Sequence, residues 1–198
     1  NEPKTISEVM NSKQITDDLR ILDCSRSCSG SSSIILASEE KANLISDQPI
    51  WIKGIGQKTI SASFTKNNLD EIKSTQIAAK SAYDMAKITP KQIDVAEVHD
   101  AFSVCELMAV SELGITKNEK SGEFVRNLFN TEDRMINPRG GLIGAGHPLG
   151  ATGISQTIEI TNQLQNRAEK RQISNANIGL IQNMSAAGTS SSVMVLRN

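Results

Sequence analysis

The chain has 198 residues, a formal net charge of −1, and a hydrophobic fraction of 38% with only 3% aromatic residues. This length predicts one domain, or one domain with part of another, built around an aliphatic core. The near-zero charge without a basic stripe argues against a nucleic-acid partner. No apolar run approaches the ~20 residues that a membrane span needs, so no membrane association is expected.

The cysteines Cys24, Cys28 and Cys105 lack the spacing of a disulfide framework. Unpaired cysteines are typical of reducing compartments, so a cytoplasmic protein is expected. Cys24 and Cys28 are close enough in sequence to form half of a metal site, but no second pair of ligands accompanies them. The sequence therefore predicts no metal.

Strand-like and helix-like patterns alternate along the chain. Residues 1–20 are polar and predict a loop, which is followed by a short buried strand over 31–37 and a helix capped by Ser38. From residue 50 onward, the sequence predicts a strand over 50–56 and then a helix over about 69–87, capped by Asn67 or Asn68. A strand over 93–98, a helix over 100–113 and an irregular exposed stretch over 117–134 follow. The last predicted elements are a helix marked by Ile154, Ile158 and Leu164, and strands over 178–182 and 191–196.

Strands that alternate with helices predict an α/β fold with a layered sheet. The last two strands are near enough in sequence to pair as an antiparallel hairpin. Residues 49–198 hold the elements of one βαβαβαββ unit. Residues 1–48 hold a loop, a strand and a helix, and are predicted to be the tail of a preceding, similar unit.

Only two histidines occur in the chain, and each heads a compact motif. His99 opens the sequence HDAF at a predicted strand-to-helix junction, and His147 lies in GHPLGATG. Histidine is the side chain that most readily takes or gives a proton near neutral pH. The two motifs therefore predict a catalytic centre.

His147 is flanked by Gly146, Pro148 and Gly150, which leave the backbone open to close approach by a substrate. A ring held there is suited to deprotonating a thiol or donating a hydrogen bond to a thioester oxygen. The alternative is a glycine-rich connection with an incidental histidine. The complete octapeptide favours the catalytic interpretation.

His99 ends a predicted strand, and open α/β sheets bind ligands at the carboxyl ends of their strands. An imidazole at this place is suited to holding a water or bonding to a developing oxyanion. The alternative is a ring that bonds to a backbone carbonyl at the start of a helix. The second histidine motif favours the catalytic interpretation here as well.

Four motifs occur in one order along the chain, and they are Val95–Phe102 (VAEVHDAF), Asn137–Leu142 (NPRGGL), Gly146–Gly153 (GHPLGATG) and Gly179–Asn183 (GLIQN). Together they resemble the C-terminal half of thiolases, most closely the archaeal and sterol-carrier-protein types. The likeness extends from about Leu19 to Leu196. The resemblance implies a thiolase-like unit, a mixed five-stranded sheet with helices on both faces, packed against a second such unit.

The resemblance also implies an activity on coenzyme A thioesters, either condensing two acyl groups or cleaving a 3-ketoacyl thioester. Coenzyme A would be a substrate, and no covalently bound cofactor is expected. By position, His147 would activate a cysteine nucleophile, and His99 would replace an oxyanion-binding asparagine. Ala101, Phe102 and Asn183 would join Gly146, Pro148 and Gly150 in substrate binding.

The chain departs from the family pattern in several places. The segment with the nucleophilic cysteine belongs to the N-terminal half and is absent. The second cysteine expected near the C-terminus is missing from residues 183–188, and Ala101 stands where sterol-carrier-type relatives have a cysteine. The acid/base that handles the substrate α-proton is therefore unassigned, and the 198 residues alone are expected to be inactive.

The leading hypothesis is the C-terminal part of a thiolase-type acyltransferase. The alternative is a non-catalytic, thiolase-derived subunit that binds acyl-CoA or builds a complex, and a ketoacyl synthase is a weaker third option. The expected partners are an acyl-CoA substrate and a thiolase N-terminal half within a homo- or hetero-oligomer. The resemblance to archaeal thiolases further implies a small zinc-ribbon/OB-fold acyl-CoA-binding protein.

Overall fold

A computed structural model of the chain describes residues 3–63, 65–116, 120–129 and 135–198. The first 48 residues contain two short helices and a small hairpin, namely α1 (Ile6–Met10), β1 (Gln14–Thr16), β2 (Leu19–Arg20) and α2 (Glu39–Ile45). The Ser38 hydroxyl accepts a hydrogen bond from the backbone of Lys41, which confirms the predicted cap of α2. The predicted loop over 1–20 is wrong in part, because Thr5 and Glu8 form a capping box that starts α1.

The main sheet is built from four strands, which are β3 (Trp51–Thr59), β4 (Val95–Glu97), β5 (Ile178–Met184) and β6 (Ser190–Arg197). Their spatial order is β3-β6-β5-β4. Strands β4 and β5 are parallel, and the other two pairs are antiparallel. The sheet is therefore mixed, and the predicted terminal hairpin is confirmed.

Five further helices connect and cover the strands, and they are α3 (Lys73–Ala86), α4 (Ser103–Glu112), α5 (Ser121–Phe129), α6 (Gly141–Ala145) and α7 (Thr152–Leu164). Helix α3 begins four residues later than predicted. Asn67 and Asn68 do not cap it, since their side chains bond instead to the Ser61 carbonyl and to Glu71. No helix of the described residues is long and apolar enough to cross a membrane.

Side chains alternate between the two faces of the sheet, as the period of a strand requires. Ala96 and Leu180 point into a core shared with α3 and α4. Val95 and Ile181 point into a second core, which is shared with α7. The prediction of an α/β unit with helices on both faces is confirmed.

The predicted five-stranded sheet has four regular strands in the described part of the chain. At the place of the fifth, Ile136 forms an isolated parallel bridge with Ala96 on the free edge of β4. Asn137 follows with a positive φ of 48°, which turns the chain away from the strand direction. Among the described residues, the fifth strand is therefore represented by this single bridge.

The predicted buried strand over 31–37 is wrong. The segment has no regular secondary structure, and the side chains of Ile35 and Leu36 are 88% and 72% exposed. A strand needs a neighbour to pair its backbone groups. No strand of the described residues pairs with this segment.

The predicted irregular stretch over 117–134 is also wrong in part. Residues 121–129 form α5, and Phe124 is buried in the core beside α4. Residues 117–119 and 130–134 of that prediction lie outside the described residues.

Candidate active site

His99 lies two residues after the end of β4 and is buried at the carboxyl end of that strand. Its backbone N–H donates to the Gln182 side chain at 3.0 Å, and its Nδ1 lies 3.3 Å from Oδ1 of Asn183. Both partners belong to the end of β5, the parallel neighbour of β4. Two parallel strand ends thus fix this imidazole, as the sequence predicted for its position.

His147 lies between α6 and α7, and its Nδ1 is 2.8 Å from the hydroxyl of Thr152. That hydroxyl donates its single proton to the carbonyl of Pro148 at 3.2 Å. It therefore accepts from His147, which assigns the ring proton to Nδ1. The Nε2 lone pair of His147 is left to act as a base.

The structure brings the two predicted catalytic histidines together. Their ring centroids are 5.0 Å apart, and the rings meet edge to face at 85°. Burial lowers the pKa of both imidazoles below the usual value near 6.5, and the neighbouring His147 adds to this effect at His99. Both rings are therefore neutral at pH 7.

An extended stretch of the N-terminal segment crosses both histidine motifs. The Ser25 N–H donates to the Ala101 carbonyl at 2.8 Å, and the His147 N–H donates to the Arg26 carbonyl at 3.0 Å. Gly146 has a φ of +91°, and a Cβ placed on it would lie 2.7 Å from Sγ of Cys28. Residues 24–28 therefore form one wall of the site, although the sequence motifs alone did not place them there.

Two open grooves meet at Gly150. One has a volume of about 490 Å³ and lies between residues 28–32 and 148–151. The other, of about 450 Å³, extends from Gly150 past Asn183 to Ile55 on β3. The predicted substrate-binding residues Pro148, Gly150 and Asn183 thus line grooves beside the histidines.

The remaining predicted substrate-binding residues lie at the rim of the site. Phe102 is 41% exposed and forms a bridge with Cys24, while the Ala101 carbonyl bonds to Ser25. Gly146 precedes His147 and is half-buried. All six are within the motifs that surround the two imidazoles.

Glu97 on β4, two residues before His99 in the chain, forms a buried hydrogen bond with Arg139. Arg139 donates through Nε to Oε2 of Glu97 at 3.0 Å and also bonds to the Ser155 hydroxyl. Burial raises the pKa of Glu97 to about 8, because it outweighs the attraction of Arg139. Oε1 of Glu97 is buried without a hydrogen-bond partner among the described residues. This carboxyl group is therefore mostly protonated at neutral pH.

A second buried network joins His99 through β5 to α3 and β6. Gln182 accepts from the His99 backbone and donates to the Thr75 hydroxyl at 3.0 Å. Hydroxyls of Thr75 and Ser74 contact Ser191 at 2.8 and 2.7 Å. Sequence analysis missed these residues. Gln182 was visible only as part of the GLIQN motif, and its partner Thr75 is 107 residues away in the chain.

Among the described residues, no group of three or more histidine, cysteine or carboxylate side chains forms a possible metal site. The polar groups at the centre of the site are instead imidazoles, amides and hydroxyls. Such groups move protons and bind carbonyl oxygens.

Residues 56–198 match the protein family described as Thiolase C-terminal domain-like. An acetyl-CoA acetyltransferase of Methanothermobacter thermautotrophicus is 39% identical over 194 residues, which are 96% of this chain and 51% of that protein. Human Sterol carrier protein 2 is 35% identical over 192 residues, covering 93% of this chain and 35% of that protein. The chain belongs to the thiolase family, and it spans about half the length of its archaeal relative.

A solved structure described as Ltp2-ChsH2(DUF35) aldolase has a similar fold, with a TM-score of 0.83. The similarity covers 98% of this chain and 51% of that chain, at 20% sequence identity. It confirms the predicted thiolase-like fold.

Proposed function

We propose that this chain is the C-terminal part of a thiolase-type acyltransferase that acts on acyl-CoA thioesters. The pairing of two neutral imidazoles 5.0 Å apart, beside the carboxyl ends of β4 and β5, carries the proposal. The archaeal relative, an acetyl-CoA acetyltransferase, supports the substrate class. In this proposal residues 49–198 are the C-terminal domain, and residues 1–48 are the end of the N-terminal domain.

The chemistry assigned to His147 follows from its tautomer. With Nδ1 protonated and bonded to Thr152, Nε2 is free to accept the proton of a cysteine thiol. The resulting thiolate would attack the acyl carbonyl of the thioester. We assign that cysteine to an N-terminal half, as the family resemblance implies, and the open grooves at Gly150 to the coenzyme A substrate.

The test is assembly with a partner of known sequence. The chain is combined with the N-terminal part of the Methanothermobacter relative that precedes the matched region, and thiolysis of a 3-ketoacyl-CoA is measured. Intact mass then reports whether an acyl group remains on the partner's cysteine. The acyltransferase proposal predicts turnover and an acylated partner, and it fails if a stable complex forms with neither.

His147→Ala separates this proposal from the alternative of a non-catalytic acyl-CoA-binding or complex-forming subunit. In an acyltransferase, removal of the base is expected to lower the rate by about 10² to 10⁴-fold. A binding subunit would lose neither complex formation nor acyl-CoA affinity. Thr152→Val is the companion variant, because it removes only the hydroxyl that fixes the His147 tautomer.

The proposed partners follow from what the chain leaves uncovered. Ile35, Leu36 and Leu44 expose most of their side chains in the first 48 residues. Apolar surface of this kind marks an interaction site. We assign it to the N-terminal half, in a homo- or hetero-oligomer. A further small acyl-CoA-binding subunit of the zinc-ribbon/OB-fold type is also proposed, and the two-component name of the similar solved structure is consistent with an assembly.

A further inference from the structure

The orientation of one buried amide determines which nitrogen of His99 carries a proton. Gln156 on α7 is fully buried, and its side-chain NH₂ donates to the backbone carbonyl of Val98 at 3.2 Å. A backbone carbonyl only accepts, so the group that faces it must be the NH₂. The other end of the Gln156 amide is therefore an oxygen.

That oxygen fixes the next amide in the chain of hydrogen bonds. Oε1 of Gln156 accepts from Nδ2 of Asn183. The carbonyl oxygen of Asn183 must then face His99, whose Nδ1 lies 3.3 Å away. Since an amide oxygen can only accept, Nδ1 of His99 carries the proton.

The remaining nitrogen of His99 is Nε2. Nε2 makes no hydrogen bond to a described residue. It is also not fully buried, because the fully buried polar side-chain atoms without a partner do not include it. The ring is neutral, as burial lowers its pKa. A neutral ring protonated at Nδ1 presents a lone pair at Nε2 and has no proton there to donate to an oxyanion.

We propose that His99 acts through Nε2 as the acid/base at the substrate α-carbon, and not as a donor to an oxyanion. This inference rests on the proposed acyltransferase function, and it replaces the oxyanion role that the family resemblance implied. Nε2 takes a proton from the carbon beside the thioester carbonyl, and the C–H electron pair becomes the enolate. His99 then carries protons on both nitrogens, with Nδ1–H still bonded to Asn183, and returns the Nε2 proton in the reverse step.

This role supplies the acid/base for the substrate α-proton, which the sequence leaves unassigned. Ala101 and the turn over 184–188 lack a cysteine. His147 lies beside His99, with its own base nitrogen assigned to the nucleophile. Of the two imidazoles, His99 is thus the one available for a second proton transfer.

The first measurement is made on the chain as it stands, labelled with ¹⁵N-histidine. Long-range ¹H–¹⁵N correlations distinguish the Nδ1–H and Nε2–H tautomers, and the chain has only two histidines. His147→Gln leaves a single set of signals for assignment. We expect Nδ1–H for His99 at pH 7.5, and an Nε2–H tautomer in the wild-type chain overturns the proposal without any variant.

Two buried glutamines on α7 provide a matched pair of variants. Gln156→Leu frees the Asn183 amide to rotate, so the His99 ring is expected to become a mixture of tautomers. Gln163 is equally buried but bonds to the backbone of Arg171 and Ile173, away from the site. Gln163→Leu is therefore expected to lower the melting temperature while the His99 tautomer stays unchanged. If the His99 ring signals are the same in both variants, the relay of hydrogen bonds from Gln156 through Asn183 to His99 is contradicted.

The second measurement follows exchange of the acetyl-CoA methyl protons for deuterium in D₂O, catalysed by the chain assembled with the archaeal N-terminal part. His99→Gln is expected to lower the exchange rate at least ~10²-fold. Acylation of the partner's cysteine should be much less affected, because His147 supplies that base. Exchange at the wild-type rate in His99→Gln overturns the proposal. An assembly that is never acylated instead rejects the proposed function, while the tautomer measurement keeps its meaning.

Discussion

At the scale of single residues, the two imidazoles owe their chemistry to partners that bond to Nδ1. Thr152 fixes His147 through a hydroxyl, and Asn183 fixes His99 through an amide. These partners differ in kind, yet both place the proton on Nδ1 and leave Nε2 as the nitrogen that acts in the proposed mechanism. Protein contacts behind each ring therefore decide what the exposed nitrogen does.

Glu97 yields a residue-scale prediction about pH. Its pKa is raised to about 8 in the fold by burial, whereas an unfolded glutamate titrates near 4.3. The unfolded chain releases this proton above pH 4.3, whereas the folded chain keeps it up to about pH 8. The contribution of Glu97 to the free energy of unfolding is therefore fully present below pH 4.3. It is then lost as the pH rises towards 8, at up to about 1.4 kcal/mol per pH unit.

Urea unfolding of the wild type and of Glu97→Gln between pH 4.5 and 8.5 measures this loss. The isosteric amide does not titrate, so the variant should gain stability relative to the wild type as the pH rises. Glu39→Gln, on exposed α2, controls for the removal of one acidic group. Parallel pH profiles for the wild type and Glu97→Gln contradict the prediction.

At the scale of elements, hydrogen bonds connect α6, which leads to His147, with Asp100, which directly follows His99. Asp100 accepts from the backbone N–H groups of Leu142 and Ile143 at 2.6 and 3.4 Å. Gly141 has a φ of +62°, and a Cβ on it would lie 2.0 Å from the Asp100 carboxylate. The absence of a side chain is what lets α6 and Asp100 meet.

Gly141→Ala is therefore expected to lower the free energy of unfolding by about 1–3 kcal/mol and to shift the ring signals of His147. Gly144→Ala is the matched control in the same helix, since its added methyl group meets open space. It should be neutral or stabilising by up to about 1 kcal/mol, as alanine favours a helix over glycine. Chemical denaturation and histidine NMR measure the two effects. A Gly141→Ala chain as stable as Gly144→Ala, with unshifted signals, counts against this fastening.

The same elements show what the sequence could predict. The alternation of strands and helices after residue 50 was predictable, because each element carries its own hydrophobic period. The apolar run over 31–37 has the local pattern of a strand whether or not a neighbouring strand is present. This pattern alone therefore gave a wrong prediction. The relay from Val98 through Gln156 to Asn183 spans 85 residues of sequence, and no local pattern encodes it.

At the scale of the whole molecule, the exposed apolar side chains separate into two kinds. Ile35 belongs to an extended segment that pairs with no described strand, whereas Met85 lies on the outer side of α3. Both side chains are more than half exposed. In the proposed assembly, only the first kind becomes buried.

Ile35→Asp is expected to weaken association with the archaeal N-terminal part about 10- to 100-fold, which corresponds to a buried side chain worth about 1.5–3 kcal/mol. The melting temperature of the isolated chain should not change, because Ile35 is 88% exposed there. Met85→Asp is the matched control and should leave the affinity unchanged. Sedimentation or calorimetric titration compares the three chains, and an equal loss in both variants rejects the assigned surface.

The pairing of β3 with β6 has a consequence for biosynthesis. Trp51 lies opposite Arg197 and Thr59 opposite Ser190, so the first strand of the sheet runs its whole length against the strand that comes last in the chain. Because β6 also separates β3 from β5, the first strand has no neighbour in the sheet until residues 190–197 have left the ribosome. The four-stranded sheet therefore closes only after β6 has been synthesised, and β3 stays unpaired until then, which leaves it open to a chaperone or a partner chain.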